Sequence, residues 1–247
     1  MVFVAVALGM AASFGGLRLS LAADALLFVV FGGLTLLARL RADLLPAPLA
    51  ALAPPVRAAL IETARPVGEL VLVLGAVFLG RLLSRIVREG KLLAPLVVAA
   101  AMVDIYTVYG GFVRSLIATA PEVVQQFSAA APATPGPRAV PLVAHTVGVG
   151  DFVFAAMFFT IIVRFGMNRA LTWWALFWVL VAVGVCWRLL DVFGVPVDAL
   201  PGLAVMAPAV LLANWEHFRY TAREQLMLLA AGAALAAGIV VLLVVKG

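Results

Sequence analysis

Long apolar segments alternate with short polar or proline-containing connections along most of the chain. A membrane-crossing helix needs about 20 mainly apolar residues. The hydropathy pattern predicts a first, short span at residues 2–16 and further spans at 21–38, 67–87, 92–113, 142–163 and 171–190, a seventh that follows residues 194–203 and ends near Asn214, and an eighth at 226–245. Lipid offers no hydrogen bonds to an open backbone, so each span is expected to be an α-helix. The pattern therefore predicts an all-α, polytopic transmembrane bundle of about eight spans, with residues 1–247 forming a single integral membrane domain.

The composition agrees with a membrane location. Hydrophobic residues make up 66% of the 247 residues and charged residues 12%, and the mean hydropathy is +1.18. Soluble domains average about 45–50% apolar and about 25% charged residues. The net charge of +5 comes largely from Lys and Arg at the ends of apolar segments, where they meet lipid headgroups. We therefore expect a multi-pass integral membrane protein that contacts the lipid bilayer and has no nucleic-acid partner.

Cysteine and histidine are too scarce to build a metal site. Cys186 is the single cysteine, which excludes an internal disulfide. His145 and His217 are far apart in the chain and match no metal-ligand spacing. The sequence therefore predicts neither a metal site nor a cofactor.

Two carboxylates fall in the interior of predicted spans. Asp104 lies in the segment 92–113 and Asp151 in the segment 142–163, whereas the other acidic residues lie near span ends or in connections. A charge at mid-membrane depth costs about 2.5–3.5 kcal/mol, so such residues usually have a function and a partner. Residues 114–141 join the two segments and include the run APATPGP, which predicts a mobile loop. This connection lets the two spans pack side by side, which makes Asp104 and Asp151 the expected partners.

Two other charges are expected to have structural places near the interface. Asp24 lies close to the start of its predicted span, where the helix dipole favours a carboxylate. Arg81 lies towards the end of another span, from which its long side chain can reach the headgroups. Neither position indicates catalysis.

A pair of buried carboxylates can hydrolyse a peptide bond without a metal. When two carboxylates are close, one holds a proton while the other stays ionised. The ionised acid takes a proton from water and the neutral acid donates to the carbonyl oxygen. Gly148 and Gly150 suit this chemistry because they loosen the helix before Asp151 and let another backbone approach. On the pattern alone, a proton or cation relay and a role in helix assembly are equally open.

Three short motifs resemble those of one known family. Residues 148–154 read GVGDFVF and resemble the GxGD signature of the presenilin and signal peptide peptidase family. Residues 103–108, VDIYTV, with RSL at 114–116, resemble the other aspartate helix of that family. Residues 199–203, ALPGL, resemble its PAL element. The three motifs stand in the order found in the family, and the resemblance covers residues 92–214, a presenilin-like core.

The resemblance implies a GxGD intramembrane aspartyl protease, of a presenilin-like prokaryotic kind located in the cell membrane. Asp104 and Asp151 would be the catalytic pair, and the substrates would be transmembrane helices of other membrane proteins. Five residues would shape the site and bind substrate, namely Gly148, Gly150, Pro201, Gly202 and Leu203.

The chain also departs from the family pattern. Val103 stands where the family usually has tyrosine, and Gly202 replaces the alanine of the PAL element. Type IV prepilin peptidases share the GxGD signature, but they usually carry lysine at the position of Val153. The alternatives to a protease are a proton-coupled transporter or channel that uses the same acids, and a catalytically silent relative that binds membrane helices.

Overall fold

The structure is a computed structural model that describes residues 2–17, 19–40, 54–110, 119, 128–130, 146–193 and 200–246. Within these residues it contains eight α-helices, which are α1 (Val2–Gly15), α2 (Leu21–Leu40), α3 (Pro54–Ser84), α4 (Leu93–Tyr109), α5 (Val149–Arg164), α6 (Arg169–Val192), α7 (Gly202–Ala213) and α8 (Ala222–Lys246). Short 3₁₀ turns lie at Gly90–Leu92 and Trp215–His217. The predicted all-α class is confirmed, with one short strand pair as its exception.

The two strands are β1 (Ser128–Ala130) and β2 (Thr146–Gly148). They pair antiparallel, with Ala129 opposite Val147. β1 belongs to the connection 114–141, most of which lies outside the described residues, as does its predicted mobility. β2 contradicts the prediction that one helical span covers residues 142–163, because α5 begins only at Val149.

Four helical segments are long and apolar enough to cross a membrane, counted over the described residues. They are Val67–Ser84, Gly90–Tyr109, Arg169–Trp187 and Ala222–Leu242. The apolar part of α2, Leu21–Thr35, is shorter, and so is α7, whose 12 residues cover about 18 Å of a hydrocarbon layer about 30 Å thick. The structure thus supports membrane association, while eight spans remain a prediction.

The helices of the chain pack into two compact units. The first unit contains Val2–Ser84 and Glu122–Met157, and the second contains Arg85–Pro121 and Phe158–Gly247. The boundary falls inside α5, between Met157 and Phe158.

In the first unit, α2 packs along α3 and buries an ion pair. Arg81 and Asp24 are 3% and 1% exposed, and the Arg81 Nε donates to the Asp24 Oδ1 at 2.8 Å. The same guanidinium donates to the backbone carbonyls of Phe14 and Leu17. The expectation that the Arg81 side chain reaches the headgroups is therefore wrong, because its charge is neutralised inside the unit.

Glycines allow the helices of the first unit to approach closely. A Cβ atom placed on Gly75 would lie 3.4 Å from the backbone N of Gly32, so α2 and α3 touch along their backbones there. A Cβ atom on Gly80 would lie 2.2 Å from the carbonyl oxygen of Val153. Gly80 thus allows α3 to pack directly on α5 at Val153, which is two residues after Asp151.

In the second unit, a buried amide connects α6 and α7. Asn214 is fully buried after the last residue of α7, and its Nδ2 donates to the Thr172 Oγ1 at 2.8 Å and to the Val210 carbonyl at 2.9 Å. Its Oδ1 accepts from the backbone N–H of Asn168 at 3.0 Å. Because these bonds satisfy the amide, its burial is compatible with a stable core.

Candidate active site

Asp104 lies on α4, eleven residues after the first residue of that helix. At 1.5 Å per residue this places it about 17 Å along the helix. Its side chain is half-buried, whereas its neighbours Val103 and Ile105 are exposed. The Asp104 carboxylate therefore points towards the interior of the second unit, whereas the side chains of Val103 and Ile105 lie on its surface.

The partner of Asp104 is the beginning of α7. The Asp104 Oδ2 accepts a hydrogen bond from the backbone N–H of Leu203 at 2.8 Å, and the carboxylate also accepts from the N–H of Ala204. The first N–H groups of a helix have no acceptor within the helix and are usually satisfied by the side chain that precedes it. Pro201 occupies that preceding position and forms no side-chain hydrogen bond. Asp104 therefore supplies, from another helix, the acceptor that α7 lacks locally.

This contact brings the proline–glycine–leucine element beside Asp104. Pro201 and Leu203 are buried, and Gly202 is half-buried as the first residue of α7. Pro201 has extended backbone angles of φ −70° and ψ 101°, so the chain turns into the helix directly after it. Four of the seven predicted site residues thus belong to one local arrangement in the second unit.

Asp151 lies in the first turn of α5 and not in the middle of a helix as predicted. The helix dipole stabilises negative charge at this end. A Cβ atom on Gly148 would lie 3.8 Å from the Asp151 Oδ2, so Gly148 is adjacent to the carboxylate. A Cβ atom on Gly150 would meet nothing within 4 Å. Gly148 is therefore the glycine at which a side chain would contact Asp151, and Gly150 faces open space.

The chain changes from strand to helix within the GVGD motif. Gly148 ends β2, and Val149 begins α5. Asp151 therefore lies three residues after the end of a strand that is paired with β1, and within the first turn of a helix.

The two aspartates belong to different units, Asp104 to the second and Asp151 to the first. Their pairing, and with it the shared proton, remains a prediction. Over the described part of the chain, no group of three or more His, Cys, Asp or Glu side chains is arranged to hold a metal ion.

Gly80, which the sequence did not indicate as a site residue, packs against the turns of α5 that follow Asp151. A Cβ atom on Gly80 would come within 2.9 Å of Ala156 Cβ and of the backbone N of Met157, in addition to the Val153 carbonyl. These residues form the second and third turns of α5. A glycine inside an apolar span often marks a place where two helices pack closely. Gly80, between Leu79 and Arg81, is such a glycine.

Searches against models of protein families, against curated proteins and against solved structures found no match to this chain.

Proposed function

We propose that this protein is an intramembrane aspartyl protease that cuts peptide bonds within the transmembrane helices of other membrane proteins. Asp104 and Asp151 act as the acid pair, and no metal or cofactor takes part. The protein is a multi-pass protein of a prokaryotic cell membrane, with about eight spans. Residues 92–214 supply the presenilin-like core.

The hydrogen bond between the Asp104 carboxylate and the N–H of Leu203 is the observation that carries this proposal. The resemblance rests on three motifs that are separated along the chain, and two of them meet at this contact. Asp104 and Leu203 are 99 residues apart in sequence. A chance likeness in two short motifs gives no reason for them to touch. The contact therefore supports a common site for the aspartate helix and the proline–glycine–leucine element.

The proposed chemistry uses the distinct settings of the two acids. The N–H groups of Leu203 and Ala204 fix the orientation of the Asp104 carboxylate. Asp151 sits at a helix start beside Gly148, where little side-chain bulk blocks a substrate backbone. One acid removes a proton from water while the other donates to the scissile carbonyl, and the roles then reverse to release the amine.

Substrate access requires an extended backbone next to Asp151. A helix hides its peptide carbonyls in its own hydrogen bonds, so a membrane helix must unwind before water can attack. β2 ends three residues before Asp151 and is itself extended, in a pair with β1, which supports an extended substrate backbone in this region. The glycines of GVGD keep the path from that strand to the carboxylate clear.

The test is cleavage of a panel of labelled single-span helices by purified protein in lipid. Wild type is compared with Asp104→Asn and with Asp151→Asn, and each change is expected to abolish the product. Glu216→Gln is the matched control, because it removes an exposed acid in the 3₁₀ turn Trp215–His217. It is expected to cleave like wild type.

Three results would contradict the proposal. Cleavage that survives either aspartate substitution would exclude the acid pair. Solute-dependent proton flux without a cut product would indicate a transporter that uses the same acids. Binding of membrane helices by folded protein, without cleavage of any, would indicate a catalytically silent relative.

A further inference from the structure

Three connections of the second unit meet at one of its ends. They are residues 85–92 before α4, residues 165–168 between α5 and α6, and residues 214–221 between α7 and α8. A Cβ atom on Gly90 would lie 3.0 Å from the side chain of Phe165, so the first connection touches the second. The backbone N–H of Asn168 donates to the Asn214 Oδ1, which joins the second connection to the third.

The start of α8 is tied to the start of α4 at this same end. The Lys91 Nζ donates to Glu224 at 2.5 Å and contacts Glu89 at 3.1 Å. The Tyr220 hydroxyl donates to the Lys91 carbonyl at 2.6 Å. All three candidate spans of the unit therefore begin here, namely Gly90–Tyr109, Arg169–Trp187 and Ala222–Leu242. This end is thus one boundary of the membrane-crossing part of the unit.

Most of the positive charge of the unit is gathered at this end, which we call the basic end. It carries seven of the nine Lys and Arg in the described part of the unit, and three glutamates, for a net charge of +4. The seven are Arg85, Arg88, Lys91, Arg164, Arg169, Arg219 and Arg223, and the glutamates are Glu89, Glu216 and Glu224. All six arginines are exposed. The other two cations, Arg188 and Lys246, lie 19 and 24 residues into α6 and α8.

The helix starts add to this positive potential. The amino end of a helix is the positive end of its dipole, and acidic side chains in the first turn normally offset it. Neither α4 nor α6 has an acidic residue in its first turn. Two of the three glutamates, Glu89 and Glu224, are already paired with Lys91. An anion outside the protein is therefore attracted to the basic end.

Tryptophans indicate the depth of the basic end in the bilayer. Trp173, Trp174 and Trp178 lie in the first three turns of α6, in ring contact with Phe177, and Trp215 lies in the connection after α7. Trp174, Trp178 and Trp215 are exposed. Tryptophan is enriched where the hydrocarbon layer meets the headgroups. The arginines next to these rings therefore lie at headgroup depth, which favours a lipid over a soluble acidic partner.

We propose that the basic end binds anionic phospholipid headgroups and enriches them over zwitterionic ones. Guanidinium groups from three connections surround the span starts, and each can donate two parallel hydrogen bonds to a phosphate. A zwitterionic headgroup also brings an ammonium group, which the excess of cations repels. The site lies away from Asp104 in the chain, and its occupation does not depend on protease activity.

The experiment uses the protein's own tryptophans as probes of the lipid at this end. Full-length Trp187→Phe is the background, because four of the five tryptophans then remain, all at the basic end. It is reconstituted in vesicles of equal amounts of phosphatidylglycerol and phosphatidylethanolamine with identical acyl chains. One lipid at a time is brominated close to the headgroup, and bromine quenches the fluorescence of adjacent tryptophans. Brominated phosphatidylglycerol is expected to quench more strongly than brominated phosphatidylethanolamine.

Two neighbouring residues give matched variants of opposite charge. Arg88→Gln removes an exposed cation and Glu89→Gln an exposed anion from the same connection. Arg88→Gln is expected to lower the preference for phosphatidylglycerol and Glu89→Gln to raise it, each by about fivefold. Arg219→Gln repeats the loss of a cation in another connection and is expected to act like Arg88→Gln.

Equal quenching by the two brominated lipids would overturn the proposal and would indicate that the arginines face water. Changes in the same direction for Arg88→Gln and Glu89→Gln would also overturn it, because a response to charge must reverse with the sign of the charge removed. Thermal unfolding of each variant is measured alongside, so that a change in quenching is assigned to folded protein.

Discussion

The Asp104 Oδ2 lies 2.8 Å from the backbone N of Leu203, at the start of a helix that lacks a capping side chain of its own. This relationship gives Asp104 a structural use that is independent of catalysis. A carboxylate at this place satisfies the first N–H groups of α7 whether or not it ever transfers a proton. A substitution that separates the two uses is therefore needed.

Substitution of Asp104 by asparagine and by alanine distinguishes its role in capping α7 from a role in proton transfer. Asparagine caps a helix about as well as aspartate, whereas loss of a capping acceptor costs about 0.5–2 kcal/mol. Asp104→Asn should keep the unfolding temperature of wild type, and Asp104→Ala should lower it. Both should abolish cleavage if Asp104 is an acid catalyst. Full cleavage by Asp104→Asn would show that the residue only caps α7.

Gly80→Ala should destabilise the first unit. The added Cβ atom would lie 2.2 Å from the Val153 carbonyl oxygen, so α3 and α5 must move apart. Overpacking of this kind costs about 1–3 kcal/mol. The measurement is thermal unfolding of the purified protein, with cleavage as a second readout because Val153 lies close to Asp151.

Gly68→Ala is the control for Gly80→Ala. Gly68 lies on the same helix α3, and a Cβ atom there meets nothing within 4 Å. Alanine should therefore leave stability unchanged or raise it by about 0.5–1 kcal/mol, because it lowers the entropy of the unfolded chain. Equal effects of the two substitutions would contradict the close packing of α3 on α5.

Hydropathy predicted the helical class because it reports apolar length well. It placed the start of α5 incorrectly because Thr146–Gly148 is flanked by apolar residues and reads as part of the same span. The strand becomes visible only through its pairing with β1, eighteen residues earlier in chain order. Long-range pairing leaves no mark in local hydropathy, so the position of Asp151 in the first helical turn was not predictable.

The site was partly predictable for a similar reason. Motif order placed Leu203 in the same predicted site as Asp104, but it gave no indication that the contact is a helix cap. The ion pair of Asp24 and Arg81 was missed because each residue lies near a span end, where an interfacial place is the ordinary expectation. Their burial depends on the packing of α2 on α3, and 57 residues separate them.

Arg81→Met should be strongly destabilising. It leaves the Asp24 carboxylate buried without its cation, and such a loss costs about 3–5 kcal/mol. Asp24→Leu combined with Arg81→Met removes both charges and should recover a large part of the lost stability, since apolar replacements of a buried pair are often tolerated. Chemical unfolding of the two single variants and the double variant measures the coupling. Additive losses would contradict a direct ion pair.

Tyr220 should make the stability of the protein depend on alkaline pH. Burial raises the pKa of its hydroxyl above the ordinary value, the negative charge of Glu224 raises the pKa further, and Lys91 partly opposes this. The folded state therefore holds the phenol proton more tightly than the unfolded state does. This contribution is complete below the ordinary tyrosine pKa of about 10 and is lost as the pH rises through the folded-state pKa.

Wild type should accordingly lose stability above about pH 10 more steeply than Tyr220→Phe, which has no proton to lose. Ultraviolet absorbance of tyrosinate follows the titration, and the difference between wild type and Tyr220→Phe isolates this residue from Tyr106 and Tyr109. The phenylalanine variant also removes the hydrogen bond to the Lys91 carbonyl, so its stability at neutral pH should be lower by about 0.5–1.5 kcal/mol. The stability difference between wild type and Tyr220→Phe should therefore shrink as the pH rises above about 10, because only wild type loses stability through this titration. A stability difference that stays constant at every pH would refute the raised pKa of Tyr220.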